Sequence, residues 1–260
     1  MKKWCFLAAF AAFLMVTPVM AGCSTGQTVD LPQNYSGFTR LDIQNAFDVQ
    51  VVQSGSFGVT VTCSKSLVDF LSVANDGDTL TLKLHPNQPF TDFALMRKVL
   101  KAKISMPALS GITLSGASGC VVSGFESKDP LDLDISGAST LQLNGITIGA
   151  ADFAVSGASR LSGKVTAADA KFDISGASQV KLAGTAGDVQ LVGAGACKID
   201  LEQFVNQTAT VTLSGSTQAT VDTRQHLDFS LTGASQFFFL SNPVTGKMEV
   251  LGAATVKHKS

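Results

Sequence analysis

Carboxylates recur in this chain at a spacing that could set them side by side. Asp132 and Asp152 are twenty residues apart, and Asp134 follows the first of them by two. If successive segments stack as neighbouring strands, about 4.8 Å apart, Asp132 and Asp152 become direct neighbours. Paired carboxylates about 5 to 5.5 Å apart suit retaining glycoside hydrolysis, and a cluster of oxygens suits Ca²⁺. Asp132, Asp134 and Asp152 are therefore the candidate glycan or metal site. Several features weigh against that chemistry. Lys171 interrupts the acidic line, and no Arg, His or Lys stands near the cluster to serve as a base. Tyr35 lies far from it, and the single Trp, Trp4, lies in the leader, so aromatic platforms for sugars are missing. A solvated outer face is the stronger reading of such a charge pattern.

Other chemistry is scarcer still. His85, His226 and His258 are widely separated, which is poor material for a metal cage or a proton relay. No catalytic residue and no cofactor is expected. With 19 Lys+Arg against 20 Asp+Glu, the formal net charge of −1 lacks the basic footprint of a nucleic-acid binder. Charged residues make up only 15% of the chain, well below the roughly 25% of an ordinary soluble domain.

The elements that would position the carboxylates come from an internal repeat. Leu114-Ser115-Gly116-Ala117-Ser118 recurs at Ile135–Ser139, Val155–Ser159 and Ile174–Ser178, then more weakly around Gly193, Gly215, Gly233 and Gly252. The mean interval is about 19 residues, the size of one turn of a solenoid. Two and four residues before each glycine the side chains are apolar throughout, from Leu114 and Ile112 to Val250 and Met248. The residues between them are mostly polar or small, as in Thr113, Asp134 and Asp173. That is the period-two alternation of a half-buried strand. Four residues after the glycine a second inward series runs from Cys120 through Leu141 and Leu161 to Phe237 and Val256, so the glycine marks a corner between two strands. The chain reads as an all-β parallel β-helix with coils of about 20 residues, each stabilised by stacking on its neighbours. Phe153, Phe172, Phe229, Phe237 and Phe239 fall on inward positions, and Lys257–Ser260 forms a polar blunt end.

The cysteines follow from the same alignment. Cys120 and Cys197 fall on equivalent inward positions four coils apart, roughly 19 Å at the strand spacing, too far for a disulfide, which needs Cα atoms within about 7 Å. Cys63 also alternates inward, and all three read as small buried hydrophobes.

At the amino end, Met1-Lys2-Lys3, the apolar run Trp4–Met20 and Ala21-Gly22-Cys23 have the pattern of a secretory signal. Ala21-Gly22-Cys23 resembles a bacterial lipobox, in which the cysteine is acylated and becomes the first mature residue. On this reading residues 1–22 are removed, the net charge moves from −1 to −3, and Cys23 joins the protein to a membrane through acyl chains. Ser24, where a retention Asp could stand, resembles sorting to the outer membrane of a Gram-negative envelope. Residues 23–36 read as the lipidated cysteine and a flexible tether, and 37–260 as the solenoid domain.

Between tether and repeat, strands are expected over Phe38–Ile43, Ala46–Val52, Gly58–Cys63, Thr79–Leu84 and Leu100–Met106, with a turn at Asn75–Asp78. Leu67–Leu71 reads as a short helix or an irregular crossing. Phe90–Met96 reads as a loop that caps an open end or, together with an outward Phe238, offers an apolar partner surface.

Phe38–Ile43 followed by Ala46–Val49, the Asp76–Leu80 turn, Met106–Leu109 and the Leu-Ser-Gly-Ala-Ser repeats together resemble a bacterial exported family described as a putative auto-transporter adhesin, head GIN domain. The resemblance spans about residues 38–256. It implies a right-handed, single-stranded parallel β-helix, often on a lipoprotein, and supplies no catalytic residues. The expected function is that of a non-enzymatic, lipid-anchored envelope protein offering a surface for adhesion or assembly, to an envelope partner or to a second copy of itself. A glycan-active β-helix and an envelope signalling accessory are the alternatives.

Overall fold

The computed structural model describes residues 28–85 and 100–259. The signal segment, Cys23 and the Phe90–Met96 loop lie outside the described residues.

Short alternating strands form because each repeat buries every second side chain and exposes the next. The pattern is seen in β10 (Leu131–Ile135), where Leu131, Leu133 and Ile135 are buried while Asp132 and Asp134 are exposed. From β8 (Gly111–Leu114) and β9 (Gly119–Ser123) the chain climbs through β10, β11 (Thr140–Ile148), β12 (Ala151–Val155), β13 (Arg160–Ala167), β14 (Ala170–Ile174) and β15 (Gln179–Thr185). It continues through β16 (Asp188–Gly193), β17 (Lys198–Leu213), β18 (Gln218–Leu231) and β19 (Gln236–Leu240) to β20 (Val244–Val250) and β21 (Thr255–His258). Each strand pairs in parallel with its counterpart one coil away, giving a β-solenoid of about 7 turns. β11 bends at Gly145, beyond which Ile146 and Ile148 pair with Val165 and Ala167 as a third, shorter side of the coil.

The corners explain the repeated glycine. Gly157 has φ +75°, and a Cβ there would lie 2.4 Å from the carbonyl oxygen of Gly137 in the coil below. The same oxygen accepts a hydrogen bond from the Ala158 N–H at 2.8 Å. Only glycine combines that conformation with that approach. Inside, columns of like residues stack: the rings of Phe153 and Phe172 are 4.7 Å apart and nearly parallel at 9°, and Phe204 meets Phe172 edge-on at 6.0 Å. Phe229 and Phe237 are buried as expected, whereas Phe239 is only partly buried.

The fifth corner differs from the sequence reading. Gly195, not Gly193, occupies it: its φ is +98° and its Cβ would meet Gly176, while Gly193 stands in register with inward Ile174. The two frames differ by two residues, so Val189 and Leu191 point inward in either, and only stacking on the neighbouring coils selects one. Cys197 therefore sits two residues after its corner glycine, in the column of Ser118, Ser139, Ser159 and Ser178, and Ile199 is the residue in line with Val180. Cys120 and Cys197 are thus not equivalent. In that column Ser118 and Ser178 each donate to the carbonyl three residues earlier at 2.8 Å, as Cys197 does to Ala194 at 3.2 Å. Cys63, Cys120 and Cys197 are all buried and free.

The base of the solenoid departs furthest from a simple winding. β2 (Arg40–Ile43) pairs in parallel with both β8 and β6 (Thr79–Leu84), and β3 (Asp48–Gln53) with both β9 and β7 (Lys101–Met106). The first rung of the sequence is therefore inserted between the second rung and the rest of the stack. Below them β4 (Gly58–Ser64) runs antiparallel to β7, and β5 (Leu71–Asp76) antiparallel to β6. The 3₁₀ turn Lys65–Phe70 links β4 to β5 and buries Leu67. β1 (Thr28–Gln33) pairs antiparallel with β4. Residues 28–33, read from sequence as tether, thus form an edge strand, with Pro32 at a position where sheets tolerate it.

Candidate functional site

The carboxylate column lies on the outer face of the first sheet. Asp132 and Asp152 are register partners in adjacent coils, as expected, while Asp134 lies opposite Ala154 on one side and Thr113 on the other. Asp152 pairs next with Lys171, which interrupts the acidic line as expected, and Lys171 pairs with Gln190, so Asp188 falls two residues outside the column. Asp188 stands beside Asp169, which accepts its N–H at 2.9 Å, and it takes a hydrogen bond from Thr208 at 2.7 Å. Asp132, Asp152, Asp169, Lys171 and Asp188 line a shallow groove of about 440 Å³.

The sequence reading missed the partner that decides the electrostatics. Arg40, on the inserted β2, lies one rung below Gly111, and Gly111 one rung below Asp132. The missing side chain at Gly111 leaves the space that the guanidinium fills, since a Cβ there would lie 2.6 Å from Arg40 Cζ. Arg40 Nη1 thereby reaches Asp132 Oδ2 at 3.2 Å, and Lys171 Nζ reaches Asp152 Oδ2 at 3.0 Å. The hydrogen bond and charge of Asp152 hold the Lys171 ammonium above its ordinary pKa. Each of these exposed carboxylates is turned to a cationic side chain of another coil, so their oxygens do not converge on one point where a cation could sit. Among the described residues no three His, Cys, Asp or Glu side chains are grouped to hold a metal ion.

A second groove, of about 350 Å³, opens beside β13, β15 and β17 around Lys181, Asp200, Glu202 and Gln203. Lys181 donates to Asp200 at 2.7 Å. Burial would raise the Asp200 pKa, but the Lys181 hydrogen bond, the Glu202 N–H and the charges of Lys181 and Lys259 outweigh it and hold it below the usual carboxylate range. This face too is an ion-paired wall.

The remaining reactive groups do not converge. His226 lies 3.3 Å from Asp228, and His258 Nε2 lies 2.6 Å from the Ser241 carbonyl, on different sheets of the last coils, while His85 is at the base. Burial pushes the thiols of Cys63, Cys120 and Cys197 upward, with the Asp48 charge adding to it at Cys120. Such thiols are poor nucleophiles.

A family model described as "Putative auto-transporter adhesin, head GIN domain" matches residues 37–243. The chain belongs to that family. As a head GIN domain it shares its fold with several solved structures. One is titled a putative adhesin from Parabacteroides distasonis, at 16% identity and TM-score 0.82, covering 90% of this chain and 98% of that one. A second, titled a putative lipid binding protein from the same organism, shows 15% identity and TM-score 0.81, covering 91% and 98%. A putative adhesin from Parabacteroides merdae shows 15% identity and TM-score 0.78, with the same coverage. At such identities the likeness is one of fold. No curated protein matches the sequence. No helix among the described residues of this head GIN domain is long and apolar enough to cross a membrane.

Proposed function

We propose that the protein is a non-enzymatic, lipid-anchored component of the cell envelope, held by acylated Cys23, whose flat solenoid faces serve adhesion or assembly. The observation that carries this reading is the pairing of outer charges between coils. Arg40 with Asp132, Lys171 with Asp152, and Lys181 with Asp200 make walls of neutralised, in-register side chains. A wall of this kind offers contact area and repeated polar groups, and it does not concentrate reactivity. The family description and the exported-type leader support a place at the envelope, and the Ala21-Gly22-Cys23 motif supports the anchor.

The anchor is tested by growing cells with an alkyne-bearing palmitate. The wild-type chain is expected to carry the label and to fractionate with membranes, and Cys23→Ala to lose the label. A wild-type chain that is unlabelled and soluble overturns the anchor. Proximity labelling from the anchored protein then identifies the surface it meets, and labelling confined to cytoplasmic proteins would overturn the envelope assignment. Replacing Asp132, Asp134 and Asp152 together by Asn is expected to leave any glycan binding unchanged, and its abolition would reinstate the glycan-active alternative.

A further inference from the structure

The last rung leaves its edges and part of its core-facing side uncovered. Among the described residues β20 pairs only with β18, and β21 only with β19. Met248 and Val250 overlie Phe229 and Leu231 in register, yet they are 59% and 45% exposed where the residues beneath are 5% and 0%. Val244 and Leu251, at either end of the strand, are 70% and 54% exposed. An edge strand with free backbone donors and acceptors and an apolar flank is a template for another strand.

The order of residues along β20 selects the occupant. Lys247 and Glu249 flank Met248, and both point away from the core: Glu249 pairs with outward Ser230, and Lys247 Nζ lies 3.6 Å from Glu249. In an antiparallel pair, opposed residues share a face. An antiparallel partner centred on Met248 therefore sets Lys247 opposite a Glu249 and Glu249 opposite a Lys247, and it sets Met248 against itself on the apolar side. Centring on Lys247 would oppose two lysines, and centring on Glu249 two glutamates, both unfavourable. A shift of one residue would turn the apolar face of one copy against the polar face of the other. β20 is thus self-complementary in one register. The base has edge strands of its own, β1 and β5, but the Lys65–Phe70 turn and Leu67 cover the core there, so among the described residues it lacks an exposed apolar flank like that of Met248 and Val250.

We propose that β20 pairs antiparallel with β20 of a second copy about a two-fold axis at Met248, giving a closed end-to-end dimer. An isologous contact of this kind closes on itself and does not propagate into a filament. The dimer presents two solenoids with their bases outward. It goes beyond the envelope assignment and stands independently of the Cys23 anchor.

The test uses the full chain. Sedimentation in excess detergent is expected to give twice the monomer mass at micromolar concentration. Lys247→Glu is expected to weaken the dimer about tenfold by opposing two Glu pairs, as is Glu249→Lys, while the doubly exchanged chain, Lys247→Glu with Glu249→Lys, recovers the wild-type dimer. That recovery separates register from misfolding. In membranes oxidised with copper phenanthroline, Met248→Cys is expected to yield a covalent dimer, and Ser56→Cys, an exposed position at the base, only monomer. A monomeric wild-type chain, failure of the double exchange to restore association, or capture of a different protein by Met248→Cys would overturn the proposal.

Discussion

At the base of the solenoid a 3₁₀ turn and antiparallel strands close the end of the core, so that Leu67 is 1% exposed, while at the far end Met248, stacked where Phe229 lies one coil below, is 59% exposed. Both ends face the same difficulty. A coil makes its backbone hydrogen bonds with the coils above and below, so a terminal coil has half its partners missing. The base meets it with non-repetitive sequence: β5 and β4 reverse direction, and Tyr35, Phe57 and Phe70 pack against the core. The far end meets it on one side only. There the Lys259 ammonium pairs with Glu202 and His258 contacts Ser241, which fastens β21, while β20 has no partner on its outer edge among the described residues. The difference teaches that repetition builds the shaft and irregular sequence finishes it.

The contrast is open to direct tests. Gly157→Ala, in the middle of the stack, should have the largest effect, about 3 kcal/mol or more. It adds the left-handed conformation penalty to a 2.4 Å approach to the Gly137 oxygen, which neither coil can relieve alone. The same change at Gly252, where the approach is 2.9 Å and the last rung is free on its outer side, should cost no more than about half as much. Equal losses in urea unfolding would erase the distinction between shaft and open end. Leu67→Ala should cost about 2 to 5 kcal/mol and lower hydrogen-exchange protection across β4 and β5 first. Met248→Ala should stay within about 0.5 kcal/mol in the isolated monomer, as an exposed substitution does. Arg40→Ala should cost less than about 1 kcal/mol, since the Arg40 and Asp132 side chains are 37% and 59% exposed. Its effect should be confined to the inserted rung.

The smallest effect is one of pH. Asp200 is depressed in the fold, so its contribution is present above the ordinary carboxylate pKa and is lost as pH falls through its lowered value. Lys171 and Lys181 are raised by Asp152 and Asp200, so their contribution is present below the ordinary lysine pKa and is lost as pH rises through the raised values. Unfolding midpoints of Asp200→Asn should therefore lose sensitivity at the acid limb, and those of Lys171→Met at the alkaline limb.

From β8 onward the fold was legible because each coil repeats one pattern, and the adjacency of Asp132 and Asp152 followed from it. Legibility ended wherever the deciding contact is distant. Nothing in residues 38–53 marks them as an insertion, because their corner is formed by Asn45 and Ala46, both at positive φ (58° and 64°), without the glycine signature. Arg40 could not be assigned to Asp132, 92 residues away, before that insertion was known. The slip from Gly195 to Gly193 arose because a shift of two residues leaves Val189 and Leu191 pointing inward in both frames. The regular spacings of 19 and 20 on either side of Gly195 were the available signal.

The inserted rung also bears on how the molecule assembles. Each later turn joins its predecessor across about twenty residues, a short loop to close. The rung at β2 and β3 meets β8 and β9 only after intervening chain has been made, as in the Ser110–Thr39 contact across 71 residues. A chain delivered amino end first must hold its earliest strands without neighbours until β6 to β9 have emerged, and then place them between two later rungs. The upper turns can wind one after another as they appear. Completion of the base is therefore the high-contact-order event, and it sets the pace of folding.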